Sequence, residues 1–166
     1  MSPMISTLSS SPSSQQAIHC SWGTRFLPWP LVSKESLHFI HSSFALQWLS
    51  KVPMEVMDEG EDFYIDAQKE VVEAFATQFA EDMESFLFAR AQELAVGGLL
   101  PFFIPGIPDV MSNSDTFIGK ELDLLGSCLM DMAKVGLFSE AKVDAFNMLA
   151  YFTTPKELKA LIERNS

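Results

Sequence analysis

The stretch HFIHSSFALQWLSKVP gathers several side chains that could do chemistry at short spacing: histidines, serines, an amide and an indole. Its apolar first half predicts a buried strand. On a strand, His38 and His41 point to opposite faces, so they cannot share a metal ion and we interpret both as structural. Ser42 and Ser43 lack the G-x-S-x-G turn of hydrolases, so a catalytic serine triad is unsupported.

The composition predicts one folded domain with an acidic surface. Of the 166 residues, 48% are hydrophobic, and 22 acidic residues against 11 basic ones give a formal net charge of -11. Such a surface repels phosphate backbones and anionic lipid headgroups, so we expect no nucleic-acid partner and no membrane partner. The apolar run GGLLPFFIPGIP is too short, and too interrupted by proline, to span a bilayer.

The cysteines and the N-terminal composition favour a cytoplasmic location. Cys20 and Cys128 are far apart in sequence and neither belongs to a C-x-x-C pair, so we interpret them as reduced thiols. Residues 1–16 have neither the basic start nor the apolar core of a secretory signal. We predict a disordered, serine-rich N-terminus over residues 1–18, followed by a single domain over residues 19–166.

The middle of the chain predicts a strand–helix–strand unit. Ser36–Phe44 is the first predicted strand, and apolar residues recur at helical spacing over Gln68–Ala95. We expect Gly97 and Gly98 to end this helix, and a second buried strand to cover residues 99–104. Two strands separated by a helix of this length predict a parallel pair with a right-handed connection and the helix packed on one face.

The C-terminal third predicts helices with recognisable ends. Asp115–Val135 has one apolar face, and Gly136 is the expected stop. Ser139 is a candidate N-cap of a short helix. Thr154 is the candidate N-cap of the last helix, with Glu157 three residues later at the capping-box position.

Six stretches, taken together, resemble one family. They are SWGTRFLP, SLHFIHSSFALQWLSKVP, ARAQELAVGG, LLGSCLMDMAKVGL, KVDAFNM and TPKELKALIERN. Their order and spacing are similar to those of the plant SABATH methyltransferases, which use S-adenosylmethionine to methylate carboxylic acids such as salicylate, jasmonate, indole acetate and loganate, or ring nitrogens. The resemblance runs from about Cys20 to the last residue. It implies an α/β class, with a partial Rossmann-like S-adenosylmethionine methyltransferase fold and helical cap segments.

The chain also departs from the family pattern. The family has an upstream segment with the first nucleotide-binding strand, an acidic-Gly-Cys-Ser-Ser-Gly turn and the acidic residue that holds the ribose, and no matching stretch is found here. The sequence stops after ERNS, before the closing strands of the family's sheet. We therefore expect a chain truncated at both ends, corresponding to roughly the middle half of the catalytic domain.

The resemblance implies two groups of ligand contacts. Ser21 and Trp22 match a pair that lies near the adenine of the methyl donor; the alternative is a loop aromatic that caps the core. Phe44, Gln47 and Trp48 match the substrate-binding triplet, with Gln47 in place of the usual His or Met. There the Trp48 indole and the Gln47 amide would donate to the substrate carboxylate, and Phe44 would form an apolar wall. The alternative for Trp48 is a core aromatic at a strand–helix corner.

The resemblance also implies a magnesium site. Asp144, the Phe146 carbonyl and Asn147 match the family's D-x-F-N segment, and such oxygen ligands suit a hard cation. A further ligand would fall near Glu59. The alternative is that the aspartate and the asparagine cap helix ends.

Two functions remain open from the sequence. The first is an S-adenosylmethionine-dependent O-methyltransferase that acts on the carboxylate of a small plant metabolite. The second is a catalytically inactive methyltransferase fragment, either inert or associated with full-length paralogues through an exposed sheet edge and apolar helix faces. The missing first nucleotide-binding unit favours inactivity for this chain, while the motifs favour the methyltransferase lineage. A homodimer is a further possible assembly.

Overall fold

The computed structural model describes residues 6–7, 18–19, 30–53, 69–111, 115–139, 142–143 and 148–165. Within these residues the secondary structure is mixed α and β. The elements, in chain order, are β1 (Ser6–Thr7), β2 (Ile18–His19), β3 (Leu37–Phe39), β4 (Ser42–Ser43), α1 (Lys69–Glu93), β5 (Leu94–Leu99), β6 (Phe102–Phe103), α2 (Phe117–Lys134) and α3 (Pro155–Arg164).

Two short parallel ladders join the segments on either side of α1. Strand β3 pairs with β5 and strand β4 pairs with β6, both in parallel. Two further backbone hydrogen bonds connect the two ladders. The Ile40 N–H donates to the Leu99 carbonyl at 2.9 Å, and the Ser42 N–H donates to the Pro101 carbonyl at 3.2 Å. The predicted parallel pairing of residues 37–44 with residues 99–104 is therefore confirmed. Strands β1 and β2 form a separate antiparallel pair.

Helix α1 forms the centre of the hydrophobic core. Its buried face carries Phe75, Phe79 and Met83, and the Phe79 ring lies 5.2 Å from the Tyr151 ring, measured between centroids. The same cluster includes Leu46 and Leu49 from the turn after β4, together with partly buried residues of β6 and its flanks. The helical spacing of the apolar residues in α1 thus reflects the packing of the helix against one face of the sheet, as predicted.

The junction between α1 and β5 differs from the expectation. The helix ends at Glu93, the strand begins at Leu94, and Gly97 and Gly98 lie inside the strand. The register changes along this ladder, since Leu37 is opposite Leu94 but Phe39 is opposite Leu99. The extra residues of β5 need a bend, which Gly97 provides with a φ of +81°. The prediction that these glycines end the helix is therefore wrong.

The two later helices begin and end where capping chemistry predicts. The Thr116 side chain accepts a hydrogen bond from the Gly119 N–H at the start of α2, and Gly136 follows its end with a φ of +80°. At α3, Thr154 and Glu157 form the predicted capping box. No helix among the described residues is both long and apolar enough to cross a membrane.

Candidate functional site

Strand β4 ends in a strained residue. Phe44 has a φ of +51°, in the left-handed region that bulky side chains rarely adopt. Its N–H still donates to the Phe103 carbonyl at 2.9 Å, so the strain begins at the last rung of the parallel ladder. The conformation turns the chain sharply out of the sheet and leaves the Phe44 side chain 61% exposed. Strain of this kind concentrates at functional sites, where surrounding contacts maintain it.

Gln47 lies behind this turn. Its side chain is 6% exposed, and its Nε2 donates to the Phe44 carbonyl at 3.0 Å. That bond closes the turn and uses one of the two amide hydrogens of Gln47. Within the described part of the chain, the Gln47 Oε1 is buried without a hydrogen-bond partner. Gln47 therefore supports the Phe44 backbone, whatever else its amide contacts.

Trp48 lies on the outer side of the same turn. Its backbone forms a bridge with Ala150, and the Gln47 carbonyl accepts a hydrogen bond from the Tyr151 N–H at 2.8 Å. The neighbours Leu46 and Leu49 are buried, whereas Trp48 is 39% exposed. The backbone of this segment is thus fixed on both sides, while the indole projects from the core.

A buried polar cluster attaches the end of the turn to α1. The Asp82 carboxylate accepts the Ser50 N–H at 2.8 Å on Oδ2 and the Ser50 hydroxyl at 2.7 Å on Oδ1. The Gln78 amide donates to the same Oδ1 at 3.0 Å. Asp82 is 6% exposed and Gln78 is also buried. The cluster joins the helix to a residue only two positions after Trp48.

A second buried cluster, near the end of α1, fixes the chain before β3. Arg90 and Glu93 form an ion pair, with 2.7 Å between the Arg90 Nε and the Glu93 Oε2. The other carboxylate oxygen of Glu93 accepts the N–H groups of Leu31 and Val32. Arg90 also stacks over the Phe86 ring, 5.4 Å from its centroid. Residues 31–32 are therefore attached to the helix end from which β5 starts.

The sequence reasoning missed both clusters, although a signal was available. The apolar pattern of α1 includes only hydrophobic positions and therefore leaves Asp82 out. Yet Asp82 follows Phe79 by three residues and precedes Phe86 by four, the spacing of the buried stripe itself. A charged residue at a core position of a long helix indicates a buried polar contact, because an unpaired buried charge is strongly unfavourable.

The structure brings together one of the three predicted groups of site residues. Phe44, Gln47 and Trp48 occupy a single turn at the end of β4. The other predicted residues lie outside the described part of the chain: Ser21 and Trp22 for the methyl donor, and Asp144, Phe146, Asn147 and Glu59 for magnesium.

Comparison with known proteins gives consistent matches. A family model described as "SAM dependent carboxyl methyltransferase" matches residues 20–166. Loganic acid O-methyltransferase of Catharanthus roseus is 42% identical over 153 residues, which cover 87% of this chain and 40% of that protein. A probable S-adenosylmethionine-dependent methyltransferase of Arabidopsis thaliana is 42% identical over 142 residues, covering 81% of this chain and 40% of that protein.

A solved structure shows the same relationship in three dimensions. The structure of loganic acid methyltransferase with SAH matches with a TM-score of 0.77 and 41% identity, covering 83% of this chain and 41% of that one. The chain spans about 40% of the length of the curated relatives that it matches. Both the family model and the structural match cover most of the length of this chain. The chain belongs to the SAM-dependent carboxyl methyltransferases, the plant SABATH family, and contains part of their α/β fold.

Proposed function

We propose that this chain forms the acceptor-binding part of a methyltransferase that transfers the methyl group of S-adenosylmethionine to the carboxylate of a small plant acid. The observation that carries the proposal is the strained turn after β4, with Phe44 and Trp48 exposed and the backbone between them fixed. In open α/β sheets, ligands bind beyond the carboxyl ends of the strands, which is where this turn lies. One relative, which matches 87% of this chain, is a loganic acid O-methyltransferase.

The side chains of the turn fit a carboxylate acceptor. The Trp48 indole N–H is a single directed donor on a fixed backbone, and it would hold one carboxylate oxygen. Phe44 offers an apolar face for the body of the acid and excludes water from that side. S-adenosylmethionine supplies the methyl group as an electrophile when bound. A carboxylate is already ionised at neutral pH, so these residues need only orient and desolvate it, without a general base.

The proposal can be tested in a chimera. Residues 20–166 replace the matching segment of the loganic acid O-methyltransferase of Catharanthus roseus, and transfer of labelled methyl to loganate and salicylate is measured. We expect a methyl ester from at least one acid. A folded chimera that binds S-adenosylmethionine but methylates neither acid would contradict the acceptor assignment.

The methyl donor needs a separate test on the chain alone. Ser21 and Trp22 are the residues predicted to contact it, and the sequence carries no stretch similar to the family's nucleotide-binding turn. We expect weak S-adenosylmethionine binding or none in calorimetric titration of residues 1–166. Micromolar binding would show that the contacts within this chain suffice.

A second function is supported by the exposed sheet face. Phe39, Leu99 and Phe103 are all exposed and lie at paired positions of the parallel ladders, on the side opposite the core. An apolar surface of this kind indicates an interaction site. An inactive chain could therefore associate with itself or with a full-length paralogue. Co-expression with the tagged Catharanthus roseus relative, followed by light scattering of the captured material, distinguishes a mixed complex, a homodimer and a monomer.

Magnesium binding and a cytoplasmic location are further parts of the proposal. Asp144, the Phe146 carbonyl and Asn147 would supply oxygen ligands, which Mg²⁺ prefers. Mg²⁺ should then raise the melting temperature of the chain treated with a chelator, and Asp144→Asn should remove that shift. An equal shift in the variant would reject the site. Cell fractionation of a tagged chain tests the location, which is inferred only from the cysteines and the N-terminal composition.

A further inference from the structure

We call residues 44–50, the turn that follows β4 and carries Trp48, the acceptor turn. Hydrogen bonds hold it at three places, and only one of these places connects it to α1. At its start, Phe44 bonds to β6 through the backbone. In its middle, the backbone around Trp48 pairs with residues 149–151. At its end, Ser50 bonds to Asp82 through both its N–H and its hydroxyl. The Gln78 amide also donates to the Ser50 hydroxyl, at 3.3 Å, so Asp82 supplies the two shorter of the three hydrogen bonds between Ser50 and α1.

The hydrogen bonds around Asp82 are better suited to fixing the position of Ser50 than to stabilising the fold. Three donor groups surround the carboxylate: the Ser50 N–H, the Ser50 hydroxyl and the Gln78 amide. Two carboxylate oxygens can accept all three, whereas an asparagine would present its NH₂ to one of these donors. Burying a carboxylate among neutral donors costs free energy that an apolar side chain at this core position would not. The advantage of the carboxylate is geometric, because its two oxygens accept two hydrogen bonds from Ser50 and so fix both the position and the orientation of that residue.

We propose that Asp82 is a positioning residue for the acceptor turn, and that it acts through Ser50 to hold Trp48 at the strand end. The proposal rests on the proposed function, because it gives Trp48 a ligand to face. Without the Asp82 carboxylate, Ser50 loses two of its three side-chain-mediated hydrogen bonds to α1 and keeps only the bond from the Gln78 amide to its hydroxyl at 3.3 Å. The indole then samples positions farther from the core, while the ladder at Phe44 remains.

The experiment measures the exposure of Trp48 directly. Trp22→Phe and Trp29→Phe leave Trp48 as the only tryptophan of the three in the chain. Acrylamide quenching of its fluorescence is compared between this background, Asp82→Asn and a control, Glu73→Gln. The control removes one charge from an exposed position of the same helix, where Glu73 pairs only with Lys69 among the described residues. Circular dichroism establishes that each chain retains its helices.

We expect Asp82→Asn to raise the quenching constant by about twofold. Trp48 is 39% exposed, so complete exposure would increase its accessible surface by about 2.5-fold, which is the upper limit for the change. Glu73→Gln should leave the constant unchanged. A lowered melting temperature with an unchanged constant in folded Asp82→Asn would overturn the proposal, since Asp82 would then be merely structural. If Asp82→Asn does not fold, Ser50→Ala decides, because it removes both hydrogen bonds of the Ser50 hydroxyl, to Asp82 at 2.7 Å and from Gln78 at 3.3 Å, and should raise the constant. An unchanged constant overturns the proposal.

This measurement requires neither the methyl donor nor an acid. A chimera that fails to methylate therefore counts against the proposed function and leaves the Asp82 result intact. Conversely, an unchanged quenching constant counts against the positioning role of Asp82. The acceptor-binding role of the turn is then still decided by the chimera.

Discussion

Trp48→Phe in the chimera separates a ligand contact from a packing role. The substitution keeps an aromatic ring and removes the indole N–H, which is the only donor of that side chain. If the N–H holds a charged carboxylate, its loss should cost about 1.5–3 kcal/mol, a roughly tenfold to hundredfold decrease in kcat/KM for the methylated acid.

The expected effect on stability follows from the exposure of the ring. Phenylalanine has roughly 40 Å² less surface than tryptophan, and 39% of Trp48 is already exposed. The substitution therefore removes about 25 Å² of buried surface, which corresponds to about 0.6 kcal/mol of unfolding free energy. A contact residue should lose much more in catalysis than in stability, and a core aromatic should show the reverse.

The assay measures both quantities on the same preparation. Initial rates give kcat/KM, and urea unfolding gives the free energy of unfolding. Phe88→Leu is the control, because it changes another exposed aromatic, on α1. The reasoning is refuted if Trp48→Phe retains full kcat/KM while the free energy of unfolding falls by 2 kcal/mol or more, roughly the loss of a well-packed core contact.

Three further predictions concern the framework of the site, and all are measured by urea unfolding. Phe79→Ala should destabilise the chain by about 3–5 kcal/mol, because Phe79 is fully buried against Tyr151, and a loss below about 1 kcal/mol would contradict that packing. Glu93→Gln should cost about 3–5 kcal/mol, since it removes the negative charge that pairs with the buried Arg90 guanidinium; a neutral result would mean that the ion pair is not formed. Thr154→Ala should cost about 0.5–2 kcal/mol by removing the N-cap of α3, whereas Thr154→Ser should recover most of it.

The sequence was sufficient for features that depend on local pattern. The order strand, long amphipathic helix, strand predicted that the two strands pair in parallel. The ladders between the segments before and after α1 are indeed parallel. Thr154 and Glu157 predicted their capping box because both partners lie within one helical turn. The triplet of Phe44, Gln47 and Trp48 came from the family resemblance, and the structure places all three in one turn. In these cases the determining contacts are short-range or form part of a recognised motif.

Long-range contacts were outside the reach of the same reasoning. Gly97 and Gly98 resemble a helix stop, but their role depends on a register change relative to a strand more than fifty residues earlier. The buried role of Asp82 depends on Ser50, which lies 32 residues earlier in the sequence. The strain at Phe44 arises from a ladder bond on one side and a buried glutamine on the other. Each feature depends on a partner that local periodicity does not identify.

Helix α1 fixes both ends of the segment that leads to the acceptor turn. Glu93 binds the backbone of residues 31–32, and Asp82 binds Ser50. The two carboxylates lie about three turns apart on one rigid helix, so the distance between the two attachment points is set by α1 itself. Between these points, β3 and β4 pair with β5 and β6, and the backbone around Trp48 pairs with residues 149–151. This arrangement explains how a chain that spans about 40% of its relatives can present the turn in a defined geometry. The acceptor side of the site therefore depends on α1 together with β5, β6 and residues 149–151.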